Sequence, residues 1–224
     1  MGEKPPVRLP VHGFVLAGGK SSRMGEDKAL LQFCGRPMVE IAVEKLRGFC
    51  AEVTIAGNRE DLGEFAPVVR ETRVDVGPAA GIEAGLQASR KEWALFMPVD
   101  VPLVPEGLLR RWAEAVLKRS ADGCGVSYLL VLRERQPAFC MVRRDYAAVV
   151  SKVIESGERK LEEIWMRLDD EGGAGWLWAR DAVRFAPASA ATKLEMEYWF
   201  SNVNTPQDLA EAEGWAREGG VGGG

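Results

Sequence analysis

The sequence contains a single histidine, His12, and its four cysteines, Cys34, Cys50, Cys124 and Cys140, form no C-x-x-C pair. A zinc site is therefore not expected, and the thiols read as buried free cysteines of a reducing compartment. No stretch supplies the roughly eighteen uninterrupted apolar residues of a membrane span. Met1 to Pro10 carries charges and prolines and lacks the apolar region of a secretory signal. Positive charge is not in excess: 29 Lys and Arg stand against 33 Asp and Glu, for a formal net charge of −4. That balance argues against a general nucleic-acid or anionic-membrane surface and confines any basic site to a local patch. The expectation is a soluble, cytoplasmic protein with neither nucleic acid nor membrane as partner.

Two familiar phosphate-binding patterns are also missing. There is no G-x-x-x-x-G-K-[ST], and Gly18, Gly19 and Gly25 do not make G-x-G-x-x-G, which disfavours a P-loop NTPase and an ordinary dinucleotide dehydrogenase.

What is present is a strand signal followed by a glycine loop. Gly13-Phe14-Val15 reads as a buried first strand, and Leu16-Ala17-Gly18-Gly19-Lys20-Ser21-Ser22-Arg23-Met24-Gly25-Glu26-Asp27-Lys28 follows it. Adjacent glycines let the backbone turn sharply and approach a ligand, so several N–H groups can face one space. Lys20, Arg23 and Lys28 lie in the same segment and suit an anion such as a triphosphate. A glycine turn with a solvated charge run has the same spacing, so the spacing leaves both readings open.

The 224 residues are compatible with one large α/β domain and a sizeable core. It is expected over residues 13–218, with loose tails at 1–12 and 219–224. His12 reads as incidental to chemistry. Phe33 to Pro37 reads as a turn, Met38 to Phe49 as a helix, Glu52 to Ala56 as a strand ending at Gly57-Asn58-Arg59, and Pro67 to Arg70 as another strand. A small-residue helix opens after Gly77-Pro78. Trp93 to Asp100 is an apolar run ending in a carboxylate, as in a central buried strand. An ionised Asp100 there needs a partner; Mg2+ on nucleotide phosphates is suitable, and a helix-start aspartate is the plainer alternative. Glu106 to Arg119 has helical spacing. Gly125 to Leu132 and Pro137 to Val142 read as strands joined by the polar link Arg133 to Gln136, so antiparallel pairing enters in the second half. Helices are expected near 144–156 and 158–168, divided by Gly157, then a glycine and acid loop, a small hairpin with Trp176 and Trp178, and a helix capped by Thr205 with Pro206 in its first turn.

The run from Leu16 to Leu30, L-A-G-G-K-S-S-R-M-G-E-D-K-A-L, resembles the signature of the molybdenum cofactor nucleotidyltransferases, specifically the guanylyltransferases that join GMP to molybdopterin. The resemblance implies a Rossmann-like three-layer α/β fold of the nucleotide-diphospho-sugar transferase type, mostly parallel with added antiparallel strands. It implies that Leu16, Ala17, Gly18, Gly19, Lys28, Asn58, Asp75 and Asp100 contact GTP, that Arg23 and Lys28 balance charge during transfer, and that Asp100 holds Mg2+. Gln136 in Arg135-Gln136-Pro137, Arg159 in Gly157-Glu158-Arg159-Lys160-Leu161, and Asn202 and Asn204 in the N-x-N-T-P-x-D-L run are implied on the molybdopterin side. Arg159 and Lys160 read equally as first-turn surface residues. Asp75 stands closer to Gly77-Pro78 than the family pattern has it, and Ala79 replaces a common leucine. Transient contacts with molybdenum-insertion proteins and recipient molybdoenzymes would follow from the same resemblance. Ser21-Ser22-Arg23-Met24 points away from the sugar-nucleotide pyrophosphorylases, which share only L-A-G-G. A cytidylyltransferase on the same scaffold and a non-catalytic nucleotide-binding module remain the alternatives.

Overall fold

Strand β1 (Leu9–Leu16) begins inside the stretch expected to be a tail. Its start was obscured by Pro10, which has no N–H for a ladder, and the pairing of β1 with its neighbour is irregular between Leu9 and His12. Leu9 is nevertheless anchored by its N–H on the Phe49 carbonyl (2.7 Å). The computed structural model describes residues 7–18, 28–119, 126–131, 134–170 and 193–218.

A hairpin of β2 (Gln32–Phe33) and β3 (Arg36–Pro37) follows. Its two central residues, Cys34 and Gly35, have φ of 49° and 80°, the left-handed pair that a tight two-residue hairpin turn requires. Cys34 is therefore exposed, contrary to expectation; Cys50 and Cys140 are buried, and Cys124 lies outside the described residues. Helix α1 (Met38–Arg47), β4 (Cys50–Ala56), β5 (Val68–Val69), α2 (Pro78–Ala88), β6 (Trp93–Pro98) and α3 (Glu106–Arg119) follow in order. Next come β7 (Val126–Val131), β8 (Glu134–Arg143), α4 (Ala147–Glu155), α5 (Leu161–Asp170), α6 (Lys193–Trp199) and α7 (Pro206–Arg217).

Six strands form one sheet in the order β5-β4-β1-β6-β8-β7. The first four run parallel, and β8 is antiparallel to both β6 and β7. The link expected between the last two strands is largely strand: Gln136, Arg135 and Glu134 pair with Leu129, Leu130 and Val131. Those polar residues extend β8 beyond the part that pairs with β6.

Alternation along the strands divides the core between the two faces. Val11 and Val15 of β1, with Trp93, Leu95 and Met97 of β6, pack with α1 and α3. Phe14 and Leu16, with Ala94 and Phe96, pack with α2, α4 and α5. Gly85 lets α2 approach closely, since a Cβ there would stand 2.5 Å from the Phe96 ring. His12 is buried in β1 and bonds Thr54 Oγ1 at 2.8 Å, a structural role.

Residues 144–146 form a short 3-10 turn before α4, and α5 starts at Leu161 and continues through Asp170, where a loop was expected. Helix α6 was not anticipated; the hairpin expected around Trp176 and Trp178 lies outside the described residues. Among the described residues, no helix is long and apolar enough to cross a membrane.

Candidate nucleotide site

Parallel strands carry their carboxyl ends to one edge, and ligands of open α/β sheets bind there, where the strand order reverses. Here the chain passes from β1 to β4 on one side and later to β6 on the other. Ala17-Gly18, Gly57-Asn58, Arg70-Glu71 and Val99-Asp100 follow β1, β4, β5 and β6. Their backbones are tied together: Ala17 N–H donates to the Ala56 carbonyl (2.9 Å), Gly57 N–H to Val69 (3.0 Å) and Val99 N–H to Leu16 (3.1 Å).

Three expected residues meet at this edge. Lys28 Nζ donates to Asp100 Oδ2 at 2.9 Å and also to Asn204 Oδ1. The Val203 N–H donates to the Asp100 carbonyl at 2.9 Å, so the segment before α7 is seated beside Asp100. Asn204 is held by the start of α7. Its N–H and that of Thr205 both donate to Asp208 Oδ2 at 2.8 Å, while Asp208 N–H donates to Thr205 Oγ1 at 3.1 Å. The Asn204 N–H, followed by the Thr205 bonds and the charge of Lys28, holds the Asp208 carboxyl below its ordinary range. The expected capping role of Thr205 and Pro206 is met in full.

A second group lies between β4, β5 and α2. Asn58 Oδ1 accepts from the Glu71 N–H at 3.0 Å. The Glu71 carboxylate lies against Gly18, where any Cβ would overlap it, and a Cβ on Gly81 would stand 3.1 Å from its Oε1. Burial pushes the Glu71 carboxyl above its usual value. Glu71 was not singled out from the sequence, where the strand reads only from Pro67 to Arg70 and Glu71 is one more polar residue beyond it. Asp75 is an exposed residue in the left-handed region, φ 59°, and its carbonyl accepts from Arg159 Nη1 at 3.0 Å.

Arg159 thus contacts the segment leading to α2. Gln136 is half-buried in β8, and Asn202 is exposed in the turn that also carries Asn204. Gly19 and Arg23 lie outside the described residues. Among the described residues, no three His, Cys, Asp or Glu side chains are arranged to hold a metal. Mg2+ commonly takes only one or two carboxylates together with phosphate oxygens and water, and Asp100 at the carboxyl edge of the sheet is a donor of that type.

A family profile described as MobA-like NTP transferase domain matches residues 13–171. The chain belongs to the MobA-like NTP transferase family. It is 33% identical over 204 residues to a molybdenum cofactor guanylyltransferase of Vibrio cholerae, covering 88% of each chain. It is 30% identical over 220 residues to the protein of that name from Serratia proteamaculans, covering 94% of this chain and 96% of the other. Its fold superposes on the crystal structure of molybdopterin-guanine dinucleotide biosynthesis protein A from Archaeoglobus fulgidus with a TM-score of 0.71, at 23% identity and covering 92% and 99% of the two chains. Family membership makes the chain a nucleotidyltransferase, as the run from Leu16 to Leu30 implied, with the expected three-layer fold. The profile match ends before the Asn202 to Leu209 run; folding brings that run to Lys28 and Asp100.

Proposed function

We propose that this protein transfers GMP from Mg-GTP to the terminal phosphate of molybdenum-loaded molybdopterin, giving the guanine dinucleotide cofactor and pyrophosphate. The observation that carries the reading is the meeting of Lys28, Asp100 and Asn204 at the carboxyl edge of the sheet. The names of the relatives supply the acceptor and the base.

In this reading an acceptor phosphate oxygen bonds to the α-phosphorus of GTP in line. The bond from that phosphorus to the bridging oxygen breaks, and its electron pair leaves with pyrophosphate. The acceptor is already ionised, so little proton transfer is needed, and positioning with charge neutralisation carries the catalysis. Backbone amides of the glycine loop from Gly18 onward bind the triphosphate, the Ala17 N–H being engaged by the Ala56 carbonyl, while Arg23 and Lys28 offset the charge that accumulates on pyrophosphate. Asp100 would hold Mg2+, which when bound neutralises phosphate charge and fixes phosphate orientation. Glu71, beside Asn58 and Gly18, offers a carboxylate that can accept two adjacent N–H groups of guanine; cytosine presents a single amino donor. Asp75 lies on the nucleotide side, and Gln136, Arg159 and Asn202 on the acceptor side. Release of the product to a recipient molybdoenzyme and delivery by a molybdenum-insertion protein, in the cytoplasm, belong to the same reading.

The test is pyrophosphate release with GTP, CTP or ATP, each with Mg2+ and with or without molybdenum-loaded molybdopterin, while dinucleotide formation is followed. Product only with GTP and the pterin supports guanylyl transfer. Preference for CTP keeps the mechanism and changes the base, and nucleotide binding without turnover favours a binding module.

A further inference from the structure

The segment between β5 and α2 carries Glu71 into the nucleotide site and is held at alternate residues. Glu71 N–H is bonded by Asn58 Oδ1 (3.0 Å) and the Asp75 carbonyl by Arg159 Nη1 (3.0 Å). Between them, Arg73 makes three charged hydrogen bonds. Its Nε donates to Glu83 Oε2 at 2.6 Å, and its Nη2 to Glu83 Oε1 at 2.9 Å and to Glu155 Oε1 at 3.0 Å. Glu83 belongs to α2 and Glu155 to α4, so one guanidinium ties the segment to two helices.

The Glu83 side chain is only 3% exposed. A buried carboxylate is retained at a cost unless it is fully paired, and a buried ion pair is weak evidence for stability. Bidentate Arg–carboxylate geometry, in contrast, specifies position and angle. Positional control matters here because residues 70–77 have no regular secondary structure and include two left-handed residues, Asp75 and Gly77 (φ 59° and 60°). Repeating backbone hydrogen bonds do not set the register of the chain in this segment; side chains do.

We infer that Arg73 is a positioning residue for nucleotide binding, acting through its fork on Glu83 to hold the Glu71 carboxylate between Gly18 and Gly81. This rests on the reading of that edge as the nucleotide site. The reacting phosphates are served by the loop after β1, Lys28 and Asp100, so the effect of Arg73 falls on nucleotide affinity and KM and leaves kcat nearly unchanged. A purely structural tie would move the melting temperature, whereas this role moves Kd and KM against a nearly constant kcat.

The experiment compares wild type, the double variant R73M/E83M and R73K in the full chain. Melting temperature, Kd for Mg-GTP by calorimetric titration, and steady-state kcat and KM are measured. Replacing both partners by apolar side chains leaves no buried charge unpaired, so R73M/E83M is expected to melt close to wild type. It is expected to bind Mg-GTP about tenfold more weakly, with KM raised in proportion and kcat within about twofold. R73K keeps the charge and loses the fork, and is expected to fall between the two; it carries the comparison alone if the double variant does not fold. Wild-type Kd and KM in a folded R73M/E83M, or in R73K when it is the only folded variant, would overturn the inference while leaving the nucleotide site intact. Absence of Mg-GTP binding in wild type would overturn the functional reading and this inference with it.

Discussion

Lys28 Nζ stands 2.9 Å from Asp100 Oδ2, joining two residues 72 positions apart in the chain. Each is only partly exposed, and the ammonium also bonds Asn204. A cation, a carboxylate and a neutral amide at the carboxyl edge of a parallel sheet can receive both a triphosphate and its metal, because the two protein charges meet opposite charges on the ligand.

Lys28→Ala is expected to lower kcat by about 10²- to 10³-fold, the effect of removing one preorganised charge-stabilising donor. Its fold is expected to persist, since the pair is at the edge of the core. Pyrophosphate release and thermal melting of the variant check this; normal turnover removes the charge role of Lys28.

Asp100→Ala is expected to abolish Mg2+-dependent turnover, and chelation of Mg2+ to do the same in wild type. Activity is titrated against Mg2+ in both proteins. An unchanged metal requirement in the variant sinks the assignment of Asp100 as ligand.

Gly18→Ala places a Cβ onto the Glu71 carboxylate. Either the loop after β1 or Glu71 must shift, and GTP affinity is expected to fall by about tenfold or more. Equilibrium GTP titration reads this directly, and wild-type affinity contradicts the proximity argument.

Thr205→Ala removes the side-chain half of the capping box. The expected loss is about 1 kcal/mol of stability, or about 2–4 °C in melting temperature for a chain of this size. Because the same box orients Asn204 toward Lys28, kcat is expected to drop as well. Melting and turnover of one preparation test both parts, and unaltered kcat would separate the cap from the site.

Lys45 donates to the Pro102 carbonyl beyond β6, and burial of its ammonium lowers its pKa from 10.5 to about 8 against the opposing charge of Glu106. Between those values the unfolded chain binds more protons than the folded one, so the contribution of Lys45 to stability rises with pH across the window. Melting of wild type and Lys45→Met at about pH 7.5 and about pH 9.5 isolates the effect, with the difference expected to move in favour of wild type at the higher pH. A difference independent of pH contradicts the shifted titration.

Much of the fold was legible because each signal was local. Met38 to Arg47, Glu106 to Arg119 and Trp93 to Pro98 carry helical spacing or a continuous apolar run within a few residues. The cap at Thr205 needs only the residues up to Asp208. Where the local signal was diluted, the reading failed: Pro10 hid the start of β1, and the polar residues Glu134 to Gln136 hid the extension of β8. The exposure of Cys34 was hidden by its composition, since an apolar thiol reads as core until the turn geometry places it outside.

The sequence by itself determined the buried strand ahead of the glycine run, the carboxylate at the end of a central strand, and a family signature that the comparisons bear out. Only the tertiary structure decided which distant residues share the site. The meeting of Lys28 with Asp100 and Asn204 depends on parallel strands ending at one edge and on Val203 pairing with Asp100. The closeness of Glu71 to Gly18, and the fork by which Arg73 ties its segment to α2 and α4, depend on how helices pack on the sheet. Hydrophobic periodicity reports which face of an element is buried, while the neighbours across that face are chosen by the packing of the whole chain.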